Sequence, residues 1–173
     1  VLQGIVDNGN TIGNLRSTSK SISENVVFIY EGTDSLQYSG NGLPASARSI
    51  ILNKATSNRI LEMNDFVSIK DSLIINDGIL DIGAYSVNGA SANRKLTMRG
   101  GELRIRNAFP TNYSAPYFTA GLINFFGSGA ATVPTNITSP AVLQYNKLEL
   151  SGNRSGNITF PSNGQIKIAD SLK

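Results

Sequence analysis

Apolar and polar residues alternate along 72–105, and the pattern returns at one fixed spacing. Leu73 falls on Leu96, Ile75 on Met98, Gly78 on Gly101, Leu80 on Leu103 and Ile82 on Ile105, each pair 23 apart. One step back, Leu73 falls on Ile50, Ile75 on Leu52 and Asn76 on Asn53. A fixed period in the twenties is the mark of a solenoid, in which one supersecondary unit stacks on the next. Within each unit the apolar residues alternate, the period of a strand with one buried face. The pattern therefore predicts an all-β chain, a parallel β-solenoid (β-helix-like) with rungs of about 23 residues, Gly/Asn corners and loop insertions. No segment keeps a 3.6-residue apolar period, so no long helix is expected.

The rest of the chain fits around this core. Residues 1–25 loosely match the later rungs and are expected to form an incomplete preceding rung, with Asn8-Gly9 as a turn. Residues 26–30, VVFIY, predict a strand of open inward parity: the 23-residue step selects Val27 and Ile29, and comparison with 123–126 selects Phe28 and Tyr30. Residues 31–47 predict corners around a short strand. Between 48 and 106 the expected strands are 49–53, 59–63, 66–69, 72–76, 79–82, 96–99 and 102–106. Parallel stacking also sets Asp71 under Arg94 and Asp81 under Arg104, as cross-strand pairs or as charges facing water.

Residues 107–121 interrupt the rung with an insertion holding Phe109, Tyr113, Tyr117 and Phe118 between prolines. Such aromatics bind a sugar face or a partner, or they fold back as a lid on the core. The pattern resumes at 122. Leu148 follows Ile50 by 98 residues, and Leu150 follows Leu52 by the same number. A longer module thus overlies the rung period, with module one at 26–121 and the start of module two at 122–173.

Composition narrows the chemistry. Of 173 residues, 40% are hydrophobic and only 16% charged, and the formal net charge is +3, too balanced to point to nucleic acid. The chain has no cysteine and no histidine, which removes disulfides, cysteine metal sites and the commonest general base. No apolar run reaches the ~18 residues of a membrane-spanning helix, and no residue set points to a cofactor or a metal. No signal peptide is visible. Both ends fall inside a pattern, and the chain is expected to be a mature or excised piece of something longer.

Several segments carry a resemblance when taken in order. They are the strands ending Phe28-Ile29-Tyr30-Glu31-Gly32 and Ile123-Asn124-Phe125-Phe126-Gly127, and the runs DGILDIGAY (77–85), FPTNY (109–113) and YNKLELSG (145–152). Together they resemble the tandem repeats of very large secreted surface proteins of Bacteroidetes, a group that includes the SprB-like gliding-motility adhesins. The resemblance implies type IX secretion, a cell-surface or extracellular location, and a role in adhesion or gliding. The implied partners are neighbouring repeat modules, surface glycans or abiotic surfaces, and the secretion and gliding machinery elsewhere in the full protein. It also implies O-glycosylation at Asp-Ser before an apolar residue, which makes Ser35, Ser72 and Ser171 candidates. An Asp-Ser corner before a strand is the structural alternative.

Three functions compete at this level. A non-enzymatic adhesin stalk accounts for the repeats and for the missing histidine and cysteine. A β-helix protein that binds or degrades polysaccharide needs gathered carboxylates; Asp65, Asp71, Asp77 and Asp81 are candidates, but a 23-residue step spreads them over corners and faces. An ice-binding or fibril-forming solenoid wants a regular threonine array, and threonine here is scattered.

Overall fold

Residues 2–3, 22–40, 42–114, 116–135, 144–162 and 164–173 are described by the computed structural model. In chain order the strands are β1 (Leu2–Gln3), β2 (Val27–Gly32), β3 (Leu36–Tyr38), β4 (Ser46–Lys54), β5 (Ile60–Glu62), β6 (Val67–Asp77), β7 (Ile79–Asp81) and β8 (Val87–Gly89). They continue as β9 (Lys95–Met98), β10 (Glu102–Ile105), β11 (Tyr117–Phe118), β12 (Leu122–Phe126), β13 (Ala131–Thr132), β14 (Gln144–Ser151), β15 (Ile158–Thr159) and β16 (Lys167–Leu172). Among the described residues there is no helix.

Every pairing between these strands is parallel, and they stack into a β-solenoid of about 6 turns. Sheet one runs β1-β2-β4-β6-β9-β11, with β8 also on β6; sheet two runs β16-β14-β12-β10-β7-β5-β3; β13 and β15 form a small third sheet. The alternation seen in the sequence sets the facing. In sheet one, Phe28, Ile50, Leu73 and Leu96 lie one above another, and beside them run Tyr30, Leu52, Ile75, Met98 and Phe118. In sheet two the inner row is Gln37, Leu61, Leu80, Leu103, Ile123 and Leu148. All these side chains are buried and form one axial column. Each large apolar side chain stabilises the column by about 1.5–3 kcal/mol.

The expected 23-residue step is not constant. Sheet one steps by 22 from Phe28 to Ile50, by 23 to Leu73 and to Leu96, and by 20 from Met98 to Phe118. The step of 22 decides the parity of the first strand: Phe28 and Tyr30 point inward, while Val27 is 40% exposed. A bulge after Leu52 pairs Asn53 with Asp77, not with Asn76 as the fixed step predicts. The segments 66–69 and 72–76 are one long strand, β6, which bends at Asp71 and serves two sides of the rung: Val67–Ile69 pair with β8, and Ser72–Ile75 with β9. The segment 107–121 does not leave the stack. Tyr113 bridges Arg94, and β11 pairs with β9, so this is a rung three residues shorter than the norm.

Residues 98 apart do not share a side of the solenoid. Ile50 lies on sheet one, whereas Leu148, its counterpart 98 residues on, lies on sheet two against Ile123. A spacing of 98 residues is therefore not a whole number of rungs. Of the incomplete rung expected at 1–25, β1 pairs with β2. The Asn8-Gly9 turn lies outside the described residues.

Candidate functional site

The densest polar chemistry stands on the outer face of sheet two, at positions alternating with the inner row. Parallel register places Glu62 beside Asp81, and Asp81 beside Arg104. The expected stacking of Asp81 on Arg104 holds for the backbone, but the charges choose other partners. Arg106 Nη2 donates to Asp81 Oδ2 at 3.2 Å, and Asp81 Oδ1 accepts the Gly83 N–H at 2.8 Å. Arg104 Nε instead donates to Glu102 Oε1 at 2.7 Å, two residues away on its own strand. Asn124 Nδ2 donates to the same Glu102 oxygen at 2.9 Å, and Ser151 Oγ donates to Asn124 Oδ1 at 2.7 Å. Both guanidinium groups lie over the Phe126 ring, 5.6 and 5.7 Å from its centre, a cation–π arrangement.

The Asp81 carboxyl is buried, with only 7% of its side chain exposed, and it faces a half-exposed guanidinium. The hydrogen bond from Arg106 and the charge of Asp81 raise the Arg106 pKa above its already high value. Charges on this face therefore compensate locally. The sequence step missed the network because a long Arg106 side chain reaches a rung away and along the strand, which a Cα register does not encode.

The other carboxylates are dispersed. Asp65 Oδ1 accepts the Phe66 N–H at 2.8 Å and Asp77 Oδ1 the Gly78 N–H at 2.7 Å, while Asp71 stands exposed at the bend of β6. Asp71 sits one register step before the Ser72–Lys95 pair, but Arg94 Nη2 turns to Ser91 Oγ at 2.7 Å. Among the described residues, no group of three or more acidic side chains is placed to hold a metal ion.

The four insertion aromatics separate. Phe109 stacks on Phe125 with centroids 6.5 Å apart, Tyr113 donates its hydroxyl to the Val87 carbonyl at 2.8 Å, and Phe118 is buried 6.1 Å from Tyr145. Burial raises the Tyr113 pKa above the ordinary tyrosine value. Only Tyr117 turns outward, 63% exposed. Phe109 also borders an open groove of about 450 Å³ with Ala131, Thr132, Pro134 and Thr159.

The three candidate glycosylation serines differ in the same way. Ser35 is exposed and Ser171 half-buried. Ser72 is expected to face out because it precedes an inward leucine, and this expectation fails. The bend in β6 buries two residues in succession, and Ser72 sits inside, 9% exposed, its hydroxyl 3.0 Å from that of Ser49 in the rung before.

One buried polar cluster went unseen in the sequence. Lys54 closes β4 at 3% exposure; its amine donates to the Glu31 carbonyl at 3.2 Å and to Gln37 Oε1. Burial lowers its pKa, partly offset by Asp34. Gln37 and Ser39 occupy inner positions that hold Leu61 and Met63 one rung later, so the column is polar at this end. Lysine reads as a surface residue in sequence, and only the strand parity discloses it.

No protein-family model, no curated protein and no solved structure matches this chain.

Proposed function

We propose that this chain is a rigid, non-enzymatic stalk segment of a large secreted cell-surface adhesin, acting in surface adhesion and gliding. The observation that supports it is the axial column, in which the inner rows of both sheets stack rung on rung into one apolar core. Such an architecture extends by repetition without enlarging a spherical core. It holds side chains at fixed spacing along a rod, so many weak contacts act together. On this reading the mechanism is mechanical: parallel ladders transmit load between rungs, and Tyr117 with the open face near Phe109 offers contact to glycans or an abiotic surface. Ser35 and Ser171 are the accessible positions for O-glycans.

The test is surface proteolysis of intact producing cells, followed by peptide sequencing. Release of peptides from this chain, with hexose on Ser35 or Ser171, is the expected result. Recovery of the chain only after lysis overturns the reading.

The second reading is a protein that binds or degrades polysaccharide, and the Glu62–Asp81 pair favours it. The two are in register on adjacent strands, and a glycosidase needs two carboxyl groups within roughly 5–9.5 Å of each other. Against it, Asp81 is buried and held by Arg106 and Gly83. Reducing-sugar release from a panel of polysaccharides, lost in Glu62→Gln, would establish the second reading over the first.

A further inference from the structure

The outer face of sheet one carries an apolar row that the inner column does not require. Ile29 is in register with Ile51, Ile51 with Ile74, Ile74 with Thr97, and Thr97 with Tyr117. The row runs along the solenoid axis, half-buried at Ile29, Ile51, Ile74 and Thr97 and exposed at Tyr117. Beside it, toward the strand ends, Glu31 is in register with Asn53, Asn53 is paired through the bulge with Asp77, and Asn76 next to Asp77 accepts a hydrogen bond from Arg99. Acid stands at one end and base at the other. The Asn53 amide reaches Glu31 at 3.4 Å and Arg99 reaches Asn76 at 3.4 Å, so each of these two charged groups hydrogen-bonds a neutral amide.

We propose that this face pairs with the same face of a second copy, with the two solenoid axes antiparallel. A two-fold axis parallel to the strands and lying between β4 and β6 keeps each row opposite itself and reverses its order. It sets Ile51 against the partner's Ile74, Asn53 against the partner's Asp77, and Glu31 against the partner's Arg99. A parallel arrangement about the other in-plane axis loses this charge match. The charge order therefore selects both the occupant and its direction. The patch spans four strands, about 19 Å along the axis and about 17 Å along the strands. That is roughly 300 Å² on each copy, well under the ~800 Å² per partner of a stable complex. A single chain therefore associates weakly, with Kd on the order of 0.1–1 mM, and repetition along a rod strengthens the contact. The inference stands apart from the stalk reading, since it concerns this face whatever the whole protein does.

Sedimentation equilibrium from micromolar to about 1 mM, at low and high salt, measures the association. The expected result is a monomer–dimer equilibrium weakened by salt. Glu31→Arg lowers the association constant about tenfold, and the double variant Glu31→Arg with Arg99→Glu restores it. Because the chain has no cysteine, one introduced pair reports geometry: Ile51→Cys mixed with Ile74→Cys cross-links faster than either variant alone. Circular dichroism establishes that each variant is folded. A monomer at every concentration, a charge reversal without rescue in the double variant, or faster cross-linking of Ile51→Cys with itself each overturns the inference.

Discussion

Tyr30 is fully buried, and its hydroxyl has no hydrogen-bond partner among the described residues. An unsatisfied buried hydroxyl costs about 1–3 kcal/mol, so Tyr30→Phe raises stability by about 1 kcal/mol in urea unfolding; a loss of stability would reveal a partner for the hydroxyl. The same burial governs alkaline behaviour. Desolvation raises the pKa of Tyr30, Tyr113 and Tyr145 above the ordinary 10.0. A tyrosine with a raised folded pKa contributes stability that is complete below pH 10 and is lost as pH climbs from there toward its folded value. Of the 6 tyrosines, these three are expected to ionise only together with the loss of β-sheet circular dichroism. Tyrosinate absorbance followed against that signal decides the matter. Ionisation of all six near pH 10 with the sheet intact would contradict their burial.

Rungs depend on their corners. Gly101 follows β9 with φ +65°, and a Cβ on it would stand 2.3 Å from the Gly78 carbonyl oxygen in the rung beneath. Gly101→Ala therefore suffers both a left-handed backbone and a clash with main chain, and it loses at least about 1–3 kcal/mol. Among the described residues, nothing lies within 4 Å of a Cβ added to Gly129, so Gly129→Ala is the neutral control in the same urea titration. The Gly78–Gly101 coincidence was visible in the sequence, as was the Leu/Ile alternation on either side, because a corner and a buried row are constrained at every rung. Side-chain reach was not visible. Arg106 bypasses its own register to hold Asp81, and the bend in β6 turns Ser72 inward. Both depend on local geometry that a fixed period averages away. Nor did the aromatic composition of 107–121 distinguish Phe118, buried in the column, from Tyr117 beside it, since one residue of parity separates core from solvent.

Along the whole molecule, stability is close to a sum over neighbouring rungs. Leu103 sits midway in sheet two between Leu80 and Ile123 and is fully buried. Leu103→Ala is expected to cost about 2–5 kcal/mol and to uncouple the two halves. Hydrogen exchange would then show β3, β5 and β7 opening separately from β12, β14 and β16. Uniform exchange across the sheet would mean that the column unfolds as one unit. The change of side between Ile50 and Leu148 has a further consequence. Ile50 on β4 and Leu148 on β14, 98 residues apart, lie on different sheets, so a side chain recurring at that spacing would change azimuth with each recurrence. A polymer continuing the same offset would carry its recurring groups as a spiral staircase. Surfaces approaching from any direction would then meet some of them, and no single side of the rod would be the sticky one.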